Sequence, residues 1–184
     1  MAATPSNMLA LGTRAPDFRL PDVVSGRILH FDELSGFEAY LIVFMCNHCP
    51  YVVHVLDELL RIAAEYQPRG LCTLGISAND VSSYPQDGPA EMKALATERR
   101  FPFPYLYDET QELARAYDAA CTPDFYLFDA ERKLVYRGRL DESRPGSGLP
   151  VTGHDLRNAI EAILSGQAPD AVQYPSIGCN IKWK

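Results

Sequence analysis

Cys46 and Cys49, separated by Asn47 and His48, stand directly behind the apolar run 40–45. Two thiols three positions apart can close a disulfide across one turn and reopen it by exchange with a partner. The chemistry this pair could do is reversible two-electron transfer. A helix starting behind the pair would aim its free N–H groups and positive dipole end at the sulfurs, favouring a thiolate. Pro50 bears on which sulfur profits. With Cys46 as N-cap, proline would fall where an N–H must bond back to the Cys46 carbonyl, and it has none. With Cys49 as N-cap, Pro50 takes the first helical position, where proline is favoured. His48, if protonated, would stabilise a neighbouring thiolate and make the disulfide more oxidising; if neutral, it is an exposed loop residue of little effect. His54 would fall one turn further on, as a helix-surface residue.

A second landmark is Cys121-Thr122-Pro123, just before the apolar stretch 124–128. Proline cannot donate to a sheet ladder, so here it marks an edge, a first position or a special bond. Cis peptides are essentially confined to X–Pro. Of the other thiols, Cys72 sits among apolar neighbours as an inert core residue. Cys121 either faces the pair as a third redox thiol or packs beneath it, and Cys179 is either an extra resolving thiol or a bystander. A different class stays open, a metal-binding module in which Cys46, Cys49, Cys121 and Cys179, with His48 or His54, offer soft ligands to Zn or Cu(I). A single Cys-x-x-Cys falls short of a paired-knuckle pattern.

The elements that must position these residues can be read from periodicity. Residues 41–44 are continuously apolar, as in a strand buried on both faces. Val53, Leu56, Leu60, Ala63 and Ala64 recur at helical spacing over 50–66, and Pro68 and Gly70 end that helix. Residues 71–76 read as a strand, 79–89 as a polar loop, 89–99 as a helix and 104–107 as a short extended piece. Asp108 to Gln111 has the spacing of a capping box opening a helix through Tyr117. Residues 125–128 and 134–140 read as a hairpin joined by 129–132, with Tyr105 and Tyr107 as ordinary strand aromatics. Thr152 and Asp155 would cap a last helix, 156–164, with Gly166 past its end. The tail 167–184 is irregular but carries Tyr174, Ile177, Ile181 and Trp183, enough apolar area to favour packing back on the domain. Alternating strands and helices predict an α/β fold with a central sheet.

The 184 residues, 47% hydrophobic, fit one domain. A net charge of -7 without a basic block argues against nucleic-acid or anionic-membrane partners. Residues 1–10 show neither a basic n-region nor an apolar h-region, and no apolar run approaches a membrane span. A cytoplasmic location is the default expectation. In that compartment a close Cys pair within an odd total of five reads as catalytic, sensing or metal-binding.

Strand, Cys-x-x-Cys and helix, followed by Thr122-Pro123 before an apolar hairpin, resemble the thioredoxin fold with its cis-proline loop. The opening Leu11-Gly12-Thr13-Arg14-Ala15-Pro16-Asp17-Phe18-Arg19-Leu20 resembles the redoxin and AhpC/TSA branch. Residues 46–51, 107–111, 121–125, 143–145 and 178–184 look like a bacterial group of thioredoxin-like redoxins. The resemblance runs from about residue 11 to the C-terminus. It implies a mixed β-sheet flanked by helices, a redoxin domain over 11–166 with an N-terminal extension, and a C-terminal tail over 167–184. It further implies a thiol–disulfide centre with no bound cofactor or metal. By position in the thioredoxin scheme, Cys46 attacks and Cys49 resolves, although Pro50 argues for the reverse. Thr122 and Pro123 would dock an incoming disulfide-bearing protein or small disulfide, and a cellular reductant would close the cycle. A Cys followed by Pro at a helix start also resembles a peroxidatic cysteine, so a thiol peroxidase is the alternative. Against it, the expected hydroxyl residue three positions before Cys49 is Cys46, the expected proline seven before is Ile42, and Pro123 leads the strand where a peroxide-orienting Arg belongs.

Overall fold

The computed structural model describes residues 3–184. Strands β1 (Ala3–Pro5), β2 (Arg19–Pro21), β3 (Ile28–His30) and β4 (Ala39–Phe44) come first. They are followed by α1 (Pro50–Tyr66), β5 (Leu71–Ser77), α2 (Pro89–Glu98), β6 (Tyr105–Tyr107) and α3 (Glu112–Ala116). The chain continues through β7 (Cys121–Thr122), β8 (Asp124–Asp129), β9 (Leu134–Gly138), α4 (His154–Leu164) and β10 (Ile177–Asn180). Five strands form a mixed sheet in the order β6-β5-β4-β8-β9, with β4, β5 and β6 parallel and β8 and β9 antiparallel. The β2–β3 hairpin and a β1-β10-β7 sheet complete the set.

β4 is central because every one of its residues is apolar and both of its faces are covered. Leu41 and Val43 pack with Leu56, Leu59 and Ile62 of α1 and Leu156 and Ile160 of α4. Tyr40, Ile42 and Phe44 join the opposite layer with Tyr117, Tyr126 and Phe31. Burying each such aliphatic side chain contributes about 1.5–3 kcal/mol. That anchors the strand whose end carries Cys46. Val52, Val55, Leu56, Leu59 and Ile62, at three- and four-residue spacing, lay α1 on the same face, whereas Val53 and Ala64 of the sequence reading turn to solvent. The chain leaves α1 through a short 3-10 turn closed by Gly70, whose φ of 102° suits glycine.

Two helix starts differ from the sequence reading. The box at 108–111 does not form: α3 begins at Glu112, with Gln111 left-handed at φ 64°. The buried Gln111 amide is drawn elsewhere, donating to the Ala78 and Lys182 carbonyls at 2.6 and 2.8 Å. Asp108 satisfies the helix start by accepting from the Ala114 N–H at 2.8 Å. Likewise α4 starts at His154 with Gly153 as N-cap rather than Thr152. Asp141 accepts both the Thr152 and Gly153 N–H groups, and Asp155 is turned to Arg139 at 2.6 Å.

The tail lies along the domain. Gly138, at φ 136°, passes so close beneath it that a Cβ there would meet the Tyr174 carbonyl oxygen at 2.1 Å. β10 pairs antiparallel with β7, setting Cys179 opposite Thr122. Ile181 is buried, whereas Tyr174 and Trp183 stay partly exposed beneath the guanidinium groups of Arg139 and Arg115. Among the described residues, no helix is long and apolar enough to cross a membrane.

Candidate active site

Cys49 is the N-cap of α1, with extended backbone and Pro50 at the first helical position. This is the arrangement that the missing proline N–H demands. The Thr122–Pro123 peptide is cis and faces the pair. The Cys49 thiol donates to the Thr122 carbonyl at 3.1 Å, and Cys46 Sγ lies 3.6 Å from Thr122 Oγ1. Local sequence placed the two sulfurs at the strand end. Strand β8, antiparallel beside β4, brings the Thr-Pro loop to them.

Both sulfurs are buried, Cys46 at 1% and Cys49 at 0% exposure, and both are free thiols. The thiol of Cys46 donates toward Cys49, and this hydrogen bond is the largest influence drawing Cys49 well below the ordinary thiol range. Donation from Cys179 and Thr122 and the Val52 N–H acts the same way, against the opposing effect of burial. The same bond, then burial and the Asp87 carboxylate, push Cys46 far up. The surroundings therefore favour ionisation at Cys49 over Cys46. As a neutral thiol, Cys49 donates its hydrogen bond to the Thr122 carbonyl.

Sequence reasoning missed the group that shapes the Asn47-His48 turn. Asp87, fully buried in the loop before α2, accepts the Asn47 and His48 N–H groups at 2.9 and 3.2 Å on one oxygen. Its other oxygen meets Asn79 Nδ2 at 2.8 Å and His48 Nδ1 at 2.5 Å. The His48 ring stacks on Tyr84 at 5.4 Å, with Nδ1 4.0 Å from Cys46 Sγ. His48 is thus a held residue rather than a free loop side chain. Tyr105 is more than a strand aromatic, since its hydroxyl donates to Asn47 Oδ1 at 3.2 Å. No local periodicity marks Asp87; the one available signal was an acid, one of two with Asp80, within a Pro-containing polar loop.

The remaining cysteines divide. Cys179, buried on β10, is within hydrogen-bonding reach of Cys49 and has its thiol pushed up to about 12, first by burial and then by that bond. Cys121 lies next to the loop, its thiol 3.7 Å from the Pro123 carbonyl and raised by burial. Cys72 sits in β5 and belongs to the opposite layer, where burial pushes its thiol up to about 12. His54 points away from the pair, to Ser143 Oγ at 3.1 Å. There it lines a cleft of about 50 Å³ that also includes Tyr51, Pro123, Arg139, Ser143 and Ile177. The four-cysteine ligand set does not gather among the described residues. Around the pair, Cys46, His48 and Asp87 are the group of three whose ligand atoms all lie within 4.8 Å of one another.

A cysteine pair at a strand end facing a cis-proline on a mixed sheet is the arrangement of the thioredoxin fold, and known proteins share that fold. The sequence profile of the AhpC/TSA family matches residues 11–137, so the chain belongs to that family. It is 30% identical over 151 residues to a 1-Cys peroxiredoxin B of Oryza sativa subsp. japonica, covering 81% of this chain and 61% of the rice protein. The chain thus spans less than two thirds of that relative. Among solved structures, an uncharacterised conserved protein from Geobacillus kaustophilus is 53% identical with a TM-score of 0.98, covering 100% of this chain and 97% of the other. A thioredoxin-family thiol:disulfide interchange protein from Chlorobium tepidum shares the fold at a TM-score of 0.64 and 19% identity, over 84% of this chain and 98% of that one.

Proposed function

We propose that this protein is a thiol–disulfide oxidoreductase in which Cys49 attacks and Cys46 resolves, the reverse of the order that position in the thioredoxin scheme implies. The observation that carries this reading is Cys49 at the N-cap of α1, with Pro50 at the first helical position. The Cys49 thiolate attacks one sulfur of a substrate disulfide, forming a mixed disulfide and expelling the other substrate sulfur as a thiolate. Cys46 then gives its proton to that departing sulfur and attacks Cys49 Sγ as a thiolate, releasing the second substrate sulfur as a thiolate and closing Cys46–Cys49. An external reductant reopens the bond. The dithiol carries both electrons, so the reaction calls for no dissolved cofactor or metal. Thr122 and Pro123 present backbone to the incoming chain, and the cleft between Tyr51 and Ile177 receives its side chains. His48 and Asp87 hold the turn and must swing aside to admit the substrate, because both sulfurs lie under cover. We assign the reaction to a reducing compartment such as the cytoplasm, with a disulfide-bearing protein or small disulfide as substrate.

A second reading, thiol peroxidase, draws on Cys49-Pro50 at the helix mouth and on the rice relative. It lacks an arginine among the groups that act most strongly on Cys49. The two are separated by measuring initial rates with an aryl disulfide dye and with hydrogen peroxide, under one dithiol reductant. Dye reduction should exceed peroxide reduction and fall to background in Cys49→Ser. A Cys49→Ser variant that keeps the wild-type dye rate would sink the assignment, and faster peroxide turnover would transfer it to the peroxidase.

A further inference from the structure

Cys49 has a sulfur neighbour on each side, and the second comes from the tail. In β10, Cys179 is held opposite Thr122, whose carbonyl is the group Cys49 touches. Gly178 beside it fits so closely that an added Cβ would lie 2.0 Å from the Thr122 carbonyl oxygen. The strand therefore sits directly on the cis-proline loop. Cys46, Cys49 and Cys179 share one buried cluster, and α1 packs against β10. Yet the three sulfurs do not all gather within 4.8 Å of one another as a ligand group would. Cys49 is the member linked to both: it closes the same turn as Cys46, and its thiol meets the Thr122 carbonyl, opposite which β10 sets Cys179.

We propose that Cys179 is a second resolving thiol for Cys49, so that the centre works with three sulfurs in a row. This rests on Cys49 as the attacking sulfur. In the step assigned to Cys179, its sulfur attacks Cys49 Sγ of the mixed disulfide, and the Cys49–substrate S–S bond breaks. The Cys179 proton passes to the departing substrate sulfur, and a Cys49–Cys179 disulfide results. The enzyme pair is oxidised by two electrons and the substrate reduced by two. The same attack on a closed Cys46–Cys49 bond moves the disulfide to Cys49–Cys179 and frees Cys46 as a thiol. The tail would then carry the oxidised state away from the turn that His48 and Asp87 cover. A dithiol able to close in two directions escapes a trapped adduct even when substrate blocks Cys46.

The test uses full-length Cys46→Ser and the double variant Cys46→Ser, Cys179→Ser, each reacted with an aryl disulfide dye. Released dye thiolate is counted and the products are mapped by mass spectrometry. Cys46→Ser should release about two equivalents from Cys49 and end with a Cys49–Cys179 disulfide, while the double variant releases about one and keeps the dye on Cys49. A dye adduct persisting on Cys49 in Cys46→Ser, with Cys179 still open to alkylation after unfolding, overturns the role of Cys179 while leaving Cys49 as the attacking sulfur. Absence of any adduct or disulfide at Cys49 in both variants overturns the attacking role itself, and this inference with it. Repeating the count with Cys179→Ala in the double variant, with circular dichroism matched to wild type, guards against a folding defect.

Discussion

The two sulfurs of the pair are pulled in opposite directions. Donors from Cys46, Cys179, Thr122 and Val52 draw the Cys49 thiol below the ordinary range, while Cys46 is pushed above it. A folded-state pKa below the ordinary thiol value of 9.0 has a defined consequence for stability. The stabilisation from the Cys49 thiolate is fully present above the ordinary value and is lost as pH falls through the depressed one. Thiolate absorbance at 240 nm in the reduced protein should therefore persist through neutral pH into the acid range. Cys46→Ala should move that transition upward, since it removes the largest stabilising donor. A transition near the ordinary thiol value in wild type, unmoved by the substitution, would contradict this opposition of the two thiols.

At the level of elements, the site depends on two chain segments meeting the end of β4. β8 supplies Thr122-Pro123 through its antiparallel pairing, and β10 closes over the back. Gly178 is what lets β10 approach. Gly178→Ala must push the strand off the Thr122 carbonyl, an overpacking cost of roughly 1–3 kcal/mol. Thermal unfolding should show a melting temperature lower by several degrees, at about 2–4 °C per kcal/mol for a chain of this size. Alkylation of Cys49 should quicken as its cover loosens. An unchanged melting temperature would show that β10 is not pressed on the loop. Element positions were largely readable: the helix from Pro50 to Tyr66 and strand β5 follow from apolar spacing. The starts of α3 and α4 were not. Gln111 was recruited by a tail more than 70 residues away, and Asp141 took over the turn assigned to Thr152.

For the molecule as a whole, α1 is held against α4 by a charge cluster as well as by the core. Glu58, buried on α1, accepts from Arg157 of α4 at 2.7 and 2.8 Å and from Arg61 at 2.6 and 2.8 Å. Arg157 also reaches Glu65 at 2.7 Å. Arg157→Ala leaves a buried carboxylate with one of its two partners and should cost about 2 kcal/mol in denaturant unfolding. A loss below about 0.5 kcal/mol would mean that apolar packing alone joins the helices. Because α1 carries Cys49 at its N-terminus, the clamp also fixes the helix end that favours the thiolate.

Apolar periodicity, the Cys-x-x-Cys spacing, Pro50 and Thr122-Pro123 were enough to place a dithiol at a helix mouth in an α/β fold. These are local signals: strand and helix periods are set by nearest neighbours, and proline acts on its own residue and the adjoining turn. Which sulfur ionises more readily, what holds the Asn47-His48 turn and which thiol lies behind Cys49 were decided by tertiary structure. Asp87 and Cys179 lie 38 and 130 positions beyond Cys49 in the chain. Asp87's meeting with the Asn47-His48 turn and Cys179's place opposite Thr122 depend on burial and strand pairing, for which local sequence has no period.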